Sequence, residues 1–336
     1  MSEVSEMKAT RDAYGETLVE LGKENPDICV LDADLSSSTK TSEFARAFPE
    51  RFFNVGIAEA NMMGIAAGLA RSGKIPFVST FAVFASGRAY DQVRQSIAYP
   101  GFNVKIVASH GGLTVGPDGA SHQALEDIAL MRVIPGMVVI VPCDARETHL
   151  AVRAAAAYEG PVYIRLGREK VSPILKPNHS FEIGKGTVLW PQLSEGSIDD
   201  LIERKPRSNP DKALFDVCFV ACGVTVLPAL QAAQTLEDEG ISCLLIDMAC
   251  VKPIDVELLR KAAACSRMII TCEEHNIIGG LGSAVCETLS RIHPMPVMRL
   301  GVNDEFGQSG SAKELMQAYG LTAEKFCEEA RAFLRT

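Results

Sequence analysis

Short apolar runs rich in β-branched residues alternate along this chain with stretches whose apolar residues recur at helical spacing. Strands that alternate with helices form βαβ units and a mostly parallel sheet. A polar, proline-containing stretch interrupts the alternation at 171–212 and includes an excursion at 186–212 that is long for a linker. We therefore predict two tandem α/β domains with mostly parallel sheets, at 1–170 and 213–336, joined by a linker with an insertion at 171–212.

Composition and charge exclude several classes of protein. Hydrophobic residues make up 47 % and charged residues 22 % of the 336 residues, which is typical of a soluble globular protein. The net charge of -9 argues against binding of nucleic acid, because phosphate contacts need clustered Lys and Arg. The polar N-terminus has no signal-peptide core, and no apolar run is long enough to span a membrane.

The ten cysteines are scattered and include no CxxC pair. This pattern indicates buried free thiols and argues against a zinc site, which needs paired ligands at short spacing. Free thiols are typical of a reducing compartment. We expect a cytoplasmic protein that has no metal ligands of its own and no membrane partner.

Glu59 stands at the start of an apolar helical stretch in FFNVGIAEANMMGIAAGLA. A first-turn acidic residue commonly complements the helix dipole and needs no further role. Alternatively, a carboxylate among Ala, Gly, Ile and Met is partly buried and poised to share a proton. Helical periodicity alone favours the first interpretation.

Two histidines frame the glycine-rich segment SHGGLTVGPDGASHQ, with His110 at one end, His122 at the other and Asp118 between them. Glycine lets the backbone approach a ligand closely, so the segment indicates a binding site. The alternative is a set of turn-forming residues with histidines on the surface. A metal site is the weaker version, since no third ligand has suitable spacing.

Phe81 and Phe84 stand three residues apart in VSTFAVFASGRAYDQVRQ, ahead of Arg88 and Tyr90. Such a pair usually belongs to the core, although aromatic rings also stack well on a flat heterocycle.

Polar residues also follow predicted strands. Asp34 and the hydroxyls of Ser36–Thr39 come after one strand, at the sheet edge where ligands bind, although hydroxyls also serve as helix caps. Arg168 follows another strand and is suited to grip a phosphate. Helix–strand packing explains the GGLG turn in EEHNIIGGLG adequately.

In this order, the motifs FNVGIAEANMMGIAAGLA, STFAVFASGRAYDQVRQ, SHGGLTVGPDGASHQALEDIALMRVIPGM, GPVYIRLGR, EEHNIIGGLG and FGQSG resemble the transketolase family over nearly the whole chain. The resemblance covers the pyrimidine-binding and C-terminal domains of that family. The family's N-terminal diphosphate-binding domain, with its GDG-type metal motif, has no counterpart in this sequence. The chain therefore resembles the second subunit of a split transketolase.

The resemblance implies roles for the coenzyme-binding residues. Glu59 matches the glutamate that hydrogen-bonds N1′ of the thiamine aminopyrimidine and so helps to form the nucleophilic coenzyme. Phe81 and Phe84 match the aromatic positions that pack on the pyrimidine. Tyr90 and Asp34 are expected close to the coenzyme.

Substrate contacts are implied as well. His122 matches a histidine near the substrate hydroxyls that is suited to proton transfer, and His110 is a second catalytic candidate. Asp118 matches a further substrate-contacting position. The positions implied to hold a sugar phosphate are Ser38, Arg11 and Arg168.

The implied activity is transfer of a two-carbon ketol unit from a ketose phosphate to an aldose phosphate. Thiamine diphosphate would lie between two chains, with its diphosphate and Mg²⁺ on an N-terminal partner subunit, in an α2β2 assembly. Alternatives are a transketolase for a branched or sulfonated sugar, a deoxyxylulose-phosphate synthase, and the β subunit of a 2-oxo-acid dehydrogenase. A non-catalytic assembly subunit is the alternative from another class.

Overall fold

Three sheets organise the computed structural model, which describes residues 7–191, 198–204 and 213–335. The elements up to residue 171 are β1 Lys8–Ala9, α1 Thr10–Glu24, β2 Ile28–Asp32, α2 Ser36–Thr39, α3 Ser42–Ala47, a 3-10 turn Pro49–Arg51, β3 Phe52–Asn54, α4 Glu59–Arg71, β4 Ile75–Ser79, a π-helical turn Phe84–Arg88, α5 Tyr90–Gln92, a second π-helical turn Val93–Ala98, β5 Lys105–Ala108, a 3-10 turn Leu113–Asp118, α6 Asp127–Arg132, β6 Val138–Ile140, α7 Ala145–Ala157, β7 Val162–Arg165 and β8 Lys170–Val171.

The remaining elements alternate in the same way. They are β9 Thr187–Trp190, α8 Ile198–Arg204, β10 Val217–Ala221, a 3-10 turn Gly223–Thr225, α9 Val226–Asp238, β11 Cys243–Asp247, β12 Cys250–Lys252, α10 Val256–Cys265, β13 Ile269–Asn276, α11 Leu281–Ile292, β14 Val297–Val302, α12 Ala312–Ala318 and α13 Ala323–Leu334.

The seven-stranded sheet has the order β12-β6-β7-β5-β4-β2-β3, and all its pairs are parallel except β12 with β6. The five-stranded sheet has the order β14-β13-β10-β11-β9, with β9 alone antiparallel to its neighbour. Central strands such as β2 and β10 are buried at every position, as expected where helices cover both faces of a sheet. The predicted pair of α/β domains with mostly parallel sheets is confirmed.

Two strands tie the halves of the chain together. β12 comes from the second half but extends the first sheet beside β6, and β9, from the segment predicted as a linker, extends the second sheet beside β11. The linker therefore contributes structure to the second domain. Residues 192–197 and 205–212 of the 186–212 excursion lie outside the described residues, and the predicted boundaries stay predictions.

None of the ten cysteines, all of which lie in the described residues, forms a disulfide, and nine of them are buried. In the described part of the chain, none of the helices combines the length and the apolar character that crossing a membrane requires. The GGLG turn begins α11, where a Cβ at Gly280 would lie 1.9 Å from the Glu273 carboxylate. That carboxylate accepts hydrogen bonds from the amides of Leu281 and Gly282, so close packing explains this turn.

Candidate functional site

The candidate residues collect at the carboxyl ends of neighbouring strands in the first sheet. Asp34 follows β2, Phe81 follows β4, His110 follows β5 and Arg168 follows β7. These four strands are adjacent in the order β7-β5-β4-β2. Residues far apart in the sequence therefore meet at one edge, which is where open parallel sheets bind ligands.

Glu59 is the first residue of α4 and is only 1 % exposed. Its two carboxylate oxygens lie 2.9 and 3.0 Å from Nη1 of Arg88, at the end of the first π-helical turn. The sequence around Glu59 contains no cation, and a partner 29 residues away has no signal in helical spacing. The sequence therefore predicts no ion pair between Glu59 and Arg88, although both residues lie in segments with candidate functional residues.

Four rings form a cluster beside this ion pair. The Phe81 ring stacks on His110 at 3.8 Å between centroids and on Phe84 at 5.9 Å. His122 meets Phe84 edge-on at 5.6 Å. Arg88 completes the group, with its Cζ 4.5 Å from the centre of the Phe84 ring. The structure thus brings together both phenylalanines and both histidines proposed from the sequence.

His110 is held in a defined orientation. Its φ of +60° is in the left-handed region, which is unusual for a residue other than glycine and is common at functional sites. Nδ1 lies 2.8 Å from Ser109 Oγ and Nε2 lies 3.4 Å from Arg11 Nη1. Since arginine can only donate, Nε2 accepts and Nδ1 carries the proton. Burial, together with Arg11, Arg168 and His122, lowers the pKa of His110 to about 3, so the ring is neutral at physiological pH.

Two arginines approach the same region from opposite ends of the first domain. Arg11 donates to the backbone oxygen of Ser38 at 3.0 Å, and its buried Nε has no hydrogen-bond partner among the described residues. Arg168 donates to the backbone oxygen of Val115 at 2.6 Å and lies 3.5 Å from the Asp118 carboxylate. Burial and the charge of Arg168 lower the pKa of Arg11, although Asp12 acts in the opposite direction. Neighbouring guanidinium groups of this kind favour an anionic ligand.

Asp34 and Tyr90 lie less centrally. Asp34 also has a positive φ, of +65°, and accepts a hydrogen bond from Asn54 at 2.9 Å. Tyr90 begins α5 and packs against the core of the first domain. Among the described residues, no hydrogen bond or ring stacking joins either of them to the four-ring cluster.

Three of the four glycines between His110 and His122 pack against the second domain, and the fourth, Gly111, packs against Arg165 of the first. Close packing is a different reason for glycine from the close approach of a ligand. Gly112 has a φ of +84°, and a Cβ there would lie 2.2 Å from the Glu274 carboxyl carbon. A Cβ at Gly119 would lie 2.6 Å from Ser309 Oγ, in the FGQSG motif. Gln123 also donates to the backbone oxygen of Gln308 in that motif, at 3.0 Å.

A buried network of hydrogen bonds and ion pairs supports the glycine-rich loop. Asp127 accepts from Tyr163 at 2.7 Å and from Arg165 at 3.0 Å. Arg165 also donates to the backbone oxygen of Glu274, whose side chain accepts from the amide of Thr114 at 2.5 Å. None of these residues was predicted from the sequence to belong to the site. One feature of the sequence pointed to this network. Arg165 belongs to an otherwise apolar strand, and a buried charge has to be paired.

Two family models together match most of the chain. The family model described as transketolase, pyrimidine binding domain, matches residues 6–173, and the one described as transketolase, C-terminal domain, matches 208–326. A Methanocaldococcus jannaschii protein described as a transketolase C-terminal section is 48 % identical over 324 residues, which cover 96 % of this chain and 95 % of that protein.

Two further relatives align just as completely. A 6-deoxy-6-sulfo-D-fructose transketolase subunit of Clostridium sp. strain MSTE9 is 39 % identical, and the alignment covers 95 % of this chain and 92 % of that subunit. The solved structure of a split-gene transketolase, an inactive β4 tetramer, is 53 % identical with a TM-score of 0.84, and it covers 98 % of this chain and 99 % of that one. This chain therefore belongs to the transketolase family, and along almost its whole length it matches the C-terminal section of split transketolases.

Proposed function

We propose that the chain supplies the pyrimidine-binding half of a thiamine diphosphate site. Together with a partner chain, it would transfer a two-carbon ketol unit from a ketose phosphate to an aldose phosphate. The observation that carries this proposal is the position of the Arg88 guanidinium, which is bound by the Glu59 carboxylate and lies over the Phe84 ring. A buried carboxylate beside an aromatic face is what a flat, nitrogen-containing ring requires.

The Arg88 guanidinium resembles an aminopyrimidine in shape and in its hydrogen-bond donors, which indicates that the site fits such a ring. The guanidinium is planar and donates N–H groups in its own plane, as a ring protonated at N1′ and carrying an amino group would do. When bound, the coenzyme supplies a carbon nucleophile that can break and form a C–C bond beside a carbonyl. Glu59 would hold a proton at N1′, and Phe84 would orient the ring by stacking.

The histidines would handle substrate protons. His110 is unprotonated at Nε2 at neutral pH, and this nitrogen would accept a hydrogen bond from a substrate hydroxyl in place of the one that it accepts from Arg11. His122 is half-buried at the edge of the ring cluster, where it can exchange a proton with a second hydroxyl. Asp118 and Ser38 would contact the sugar, while Arg11 and Arg168 would bind its anionic end.

A partner subunit would complete the site with the diphosphate- and Mg²⁺-binding half. An exposed apolar face beside Glu59 supports this. Phe53 is 40 %, Ile57 76 % and Ile65 38 % exposed, and Gly64 and Gly68 leave the outer face of α4 open to close approach. The related split-gene β4 tetramer is inactive, which agrees with a site that needs a second type of chain. We propose an α2β2 complex in the cytoplasm, where the free thiols stay reduced.

A sulfonated sugar is the second candidate substrate class. The Clostridium relative is named for 6-deoxy-6-sulfo-D-fructose, and the Arg11–Arg168 pair suits a sulfonate as well as a phosphate. Parallel assays with phosphorylated and sulfonated ketoses would distinguish the two.

Glu59→Gln tests the coenzyme role in the complex with its partner. We expect ketol transfer to fall by about 10²–10⁴-fold, the usual contribution of a positioned acid–base group. Glu43→Gln, which removes another first-turn glutamate from the neighbouring helix α3, is the control and should leave transfer unchanged. The chain without its partner should show no transfer. Full activity of the Glu59→Gln complex would disprove the proposal.

A further inference from the structure

The side chain of Arg88 has two contacts that belong to the proposed coenzyme site. It binds both carboxylate oxygens of Glu59, at 2.9 and 3.0 Å, and it lies 4.5 Å above the centre of the Phe84 ring. Its own surroundings are open, because the side chain is 51 % exposed whereas that of Glu59 is 1 % exposed. A solvent-accessible cation therefore reaches inward to a buried anion.

The buried carboxylate explains why such a contact forms. A charged group removed from water is costly unless it is paired and hydrogen-bonded, and removing one partner of a buried pair leaves the other uncompensated. Among the described residues, Arg88 is the cation within ion-pair distance of Glu59. Arg88 therefore compensates the buried charge of Glu59.

Local backbone structure places the guanidinium over the ring. The turn Phe84–Arg88 is π-helical and is closed by a hydrogen bond from the Ala89 amide to the Phe84 oxygen at 3.1 Å. This wide turn brings Arg88 back above Phe84. π-Helical turns are uncommon and occur frequently at functional sites. Gly87 beside it has nothing within 4 Å of where its Cβ would be, so the side chain has open space into which it can withdraw.

We propose that Arg88 is a positioning residue that occupies the place of the coenzyme's pyrimidine in the empty subunit and withdraws when the coenzyme binds. This inference rests on the proposed function. Arg88 and the aminopyrimidine need the same carboxylate edge and the same ring face, so they exclude each other. In the empty subunit the ion pair keeps Glu59 and Phe84 oriented. The coenzyme then binds only the fraction of molecules from which Arg88 has withdrawn, which weakens its apparent affinity by that fraction.

Calorimetric titration of thiamine diphosphate into the complex at saturating Mg²⁺ tests the exclusion. Arg88→Gln removes the competitor, so we expect the dissociation constant to fall by about three- to tenfold, which is the inverse of the fraction of sites from which Arg88 has withdrawn. The melting temperature of the empty complex should also fall, while that of the loaded complex stays the same. Arg94→Gln removes an exposed arginine from the same segment and is the matched control. It should change neither quantity.

An unchanged or a higher dissociation constant for Arg88→Gln would overturn the inference, since Arg88 would then be irrelevant to binding or part of the loaded site. If that variant does not fold, ¹⁵N-arginine spectra of the unsubstituted complex decide the question. The guanidinium signal assigned to Arg88 by its loss in Arg88→Lys should move towards the value for free arginine on loading, and a fixed signal would refute withdrawal. If the unsubstituted complex binds no thiamine diphosphate, it is the proposed function that fails.

Discussion

At the scale of single residues, side-chain chemistry was predictable from the sequence, but most pairings were not. Glu59, Phe81 and His110 could be proposed because a carboxylate, an aromatic ring and a histidine are unusual in their apolar or glycine-rich surroundings. The Arg88–Glu59 pair depends on where a π-helical turn follows β4. No spacing rule predicts such a turn, so the pair is visible only in three dimensions.

The suppressed protonation of His110 leads to a prediction about acid stability. An unfolded histidine titrates near 6.5, whereas folded His110 stays neutral down to a pKa of about 3. Acidification therefore protonates the unfolded state first, and the contribution of His110 to stability falls between these two values. Both proteins should lose free energy of unfolding when the pH is lowered from 7 to 5. We expect the loss to be about 2 kcal/mol smaller for His110→Asn than for the unsubstituted chain.

Urea unfolding at the two pH values measures this difference, with pH 7 as the reference at which the folded histidine is neutral and the unfolded one is mostly neutral. Burial also lowers the pKa of His275, to about 4. His275 therefore destabilises both proteins equally on acidification, and its effect cancels from the comparison. Equal losses for the two proteins would show that His110 is protonated normally in the folded chain.

At the scale of secondary-structure elements, alternating patterns located most strands and helices, because continuous apolar runs are what buried parallel strands require. The sheet that each strand joins was not predictable. A run of three residues such as Cys250–Lys252 has no feature that assigns it to the first sheet. The glycine-rich loop shows a similar limit, since local sequence cannot distinguish a glycine needed for a ligand from one needed for the second domain.

Substitution of Gly112 tests that packing. Alanine there would be strained at a φ of +84° and would overlap the Glu274 carboxylate. We expect Gly112→Ala to lower the free energy of unfolding by about 2–4 kcal/mol, from backbone strain and overpacking together.

The control is Gly64→Ala, at a helical position where a Cβ would have nothing within 4 Å. It should raise the stability of the isolated chain by up to about 1 kcal/mol, the difference in helix propensity between the two residues. If Gly112→Ala is as stable as the unsubstituted chain, the loop does not pack closely on Glu274.

At the scale of the whole molecule, a buried acidic pair joins the two domains. Glu147 at the start of α7 and Asp247 at the end of β11 lie, with Cys143, within 4.8 Å of one another. Burial raises the pKa of Glu147 to about 7 and that of Asp247 well above its usual value, and the charge of Asp144 raises both further. Neither oxygen of Asp247 has a donor among the described residues. Two buried carboxylates so close together would repel each other if both were charged. A proton shared between the two carboxyl groups removes this repulsion.

The shared proton predicts a loss of stability as the pH rises from about 4 to about 7. The folded chain binds this proton up to about pH 7, whereas unfolded carboxyls release theirs near pH 4, so the stabilisation is lost as the pH rises to about 7. In Asp247→Asn a permanent donor replaces the proton. We expect this variant to be more stable than the unsubstituted chain at pH 8, by about 1–3 kcal/mol, with a smaller difference at pH 5.

Thermal or urea unfolding at both pH values checks the prediction. A metal ion held by Cys143, Glu147 and Asp247 would give the opposite result. Asp247→Asn would then destabilise the chain at pH 8, and elemental analysis would find the ion in the purified protein.

Because β12 belongs to the second half of the chain but pairs with β6 of the first sheet, the two domains cannot be separated without exposing a sheet edge. A fragment that ends after the first domain would lack β12 and would leave Val138–Ile140 as the uncovered margin of a parallel sheet. Unpaired sheet margins recruit strands from other molecules. Such a fragment should therefore precipitate or form fibres, whereas the intact chain covers this margin with its own second half.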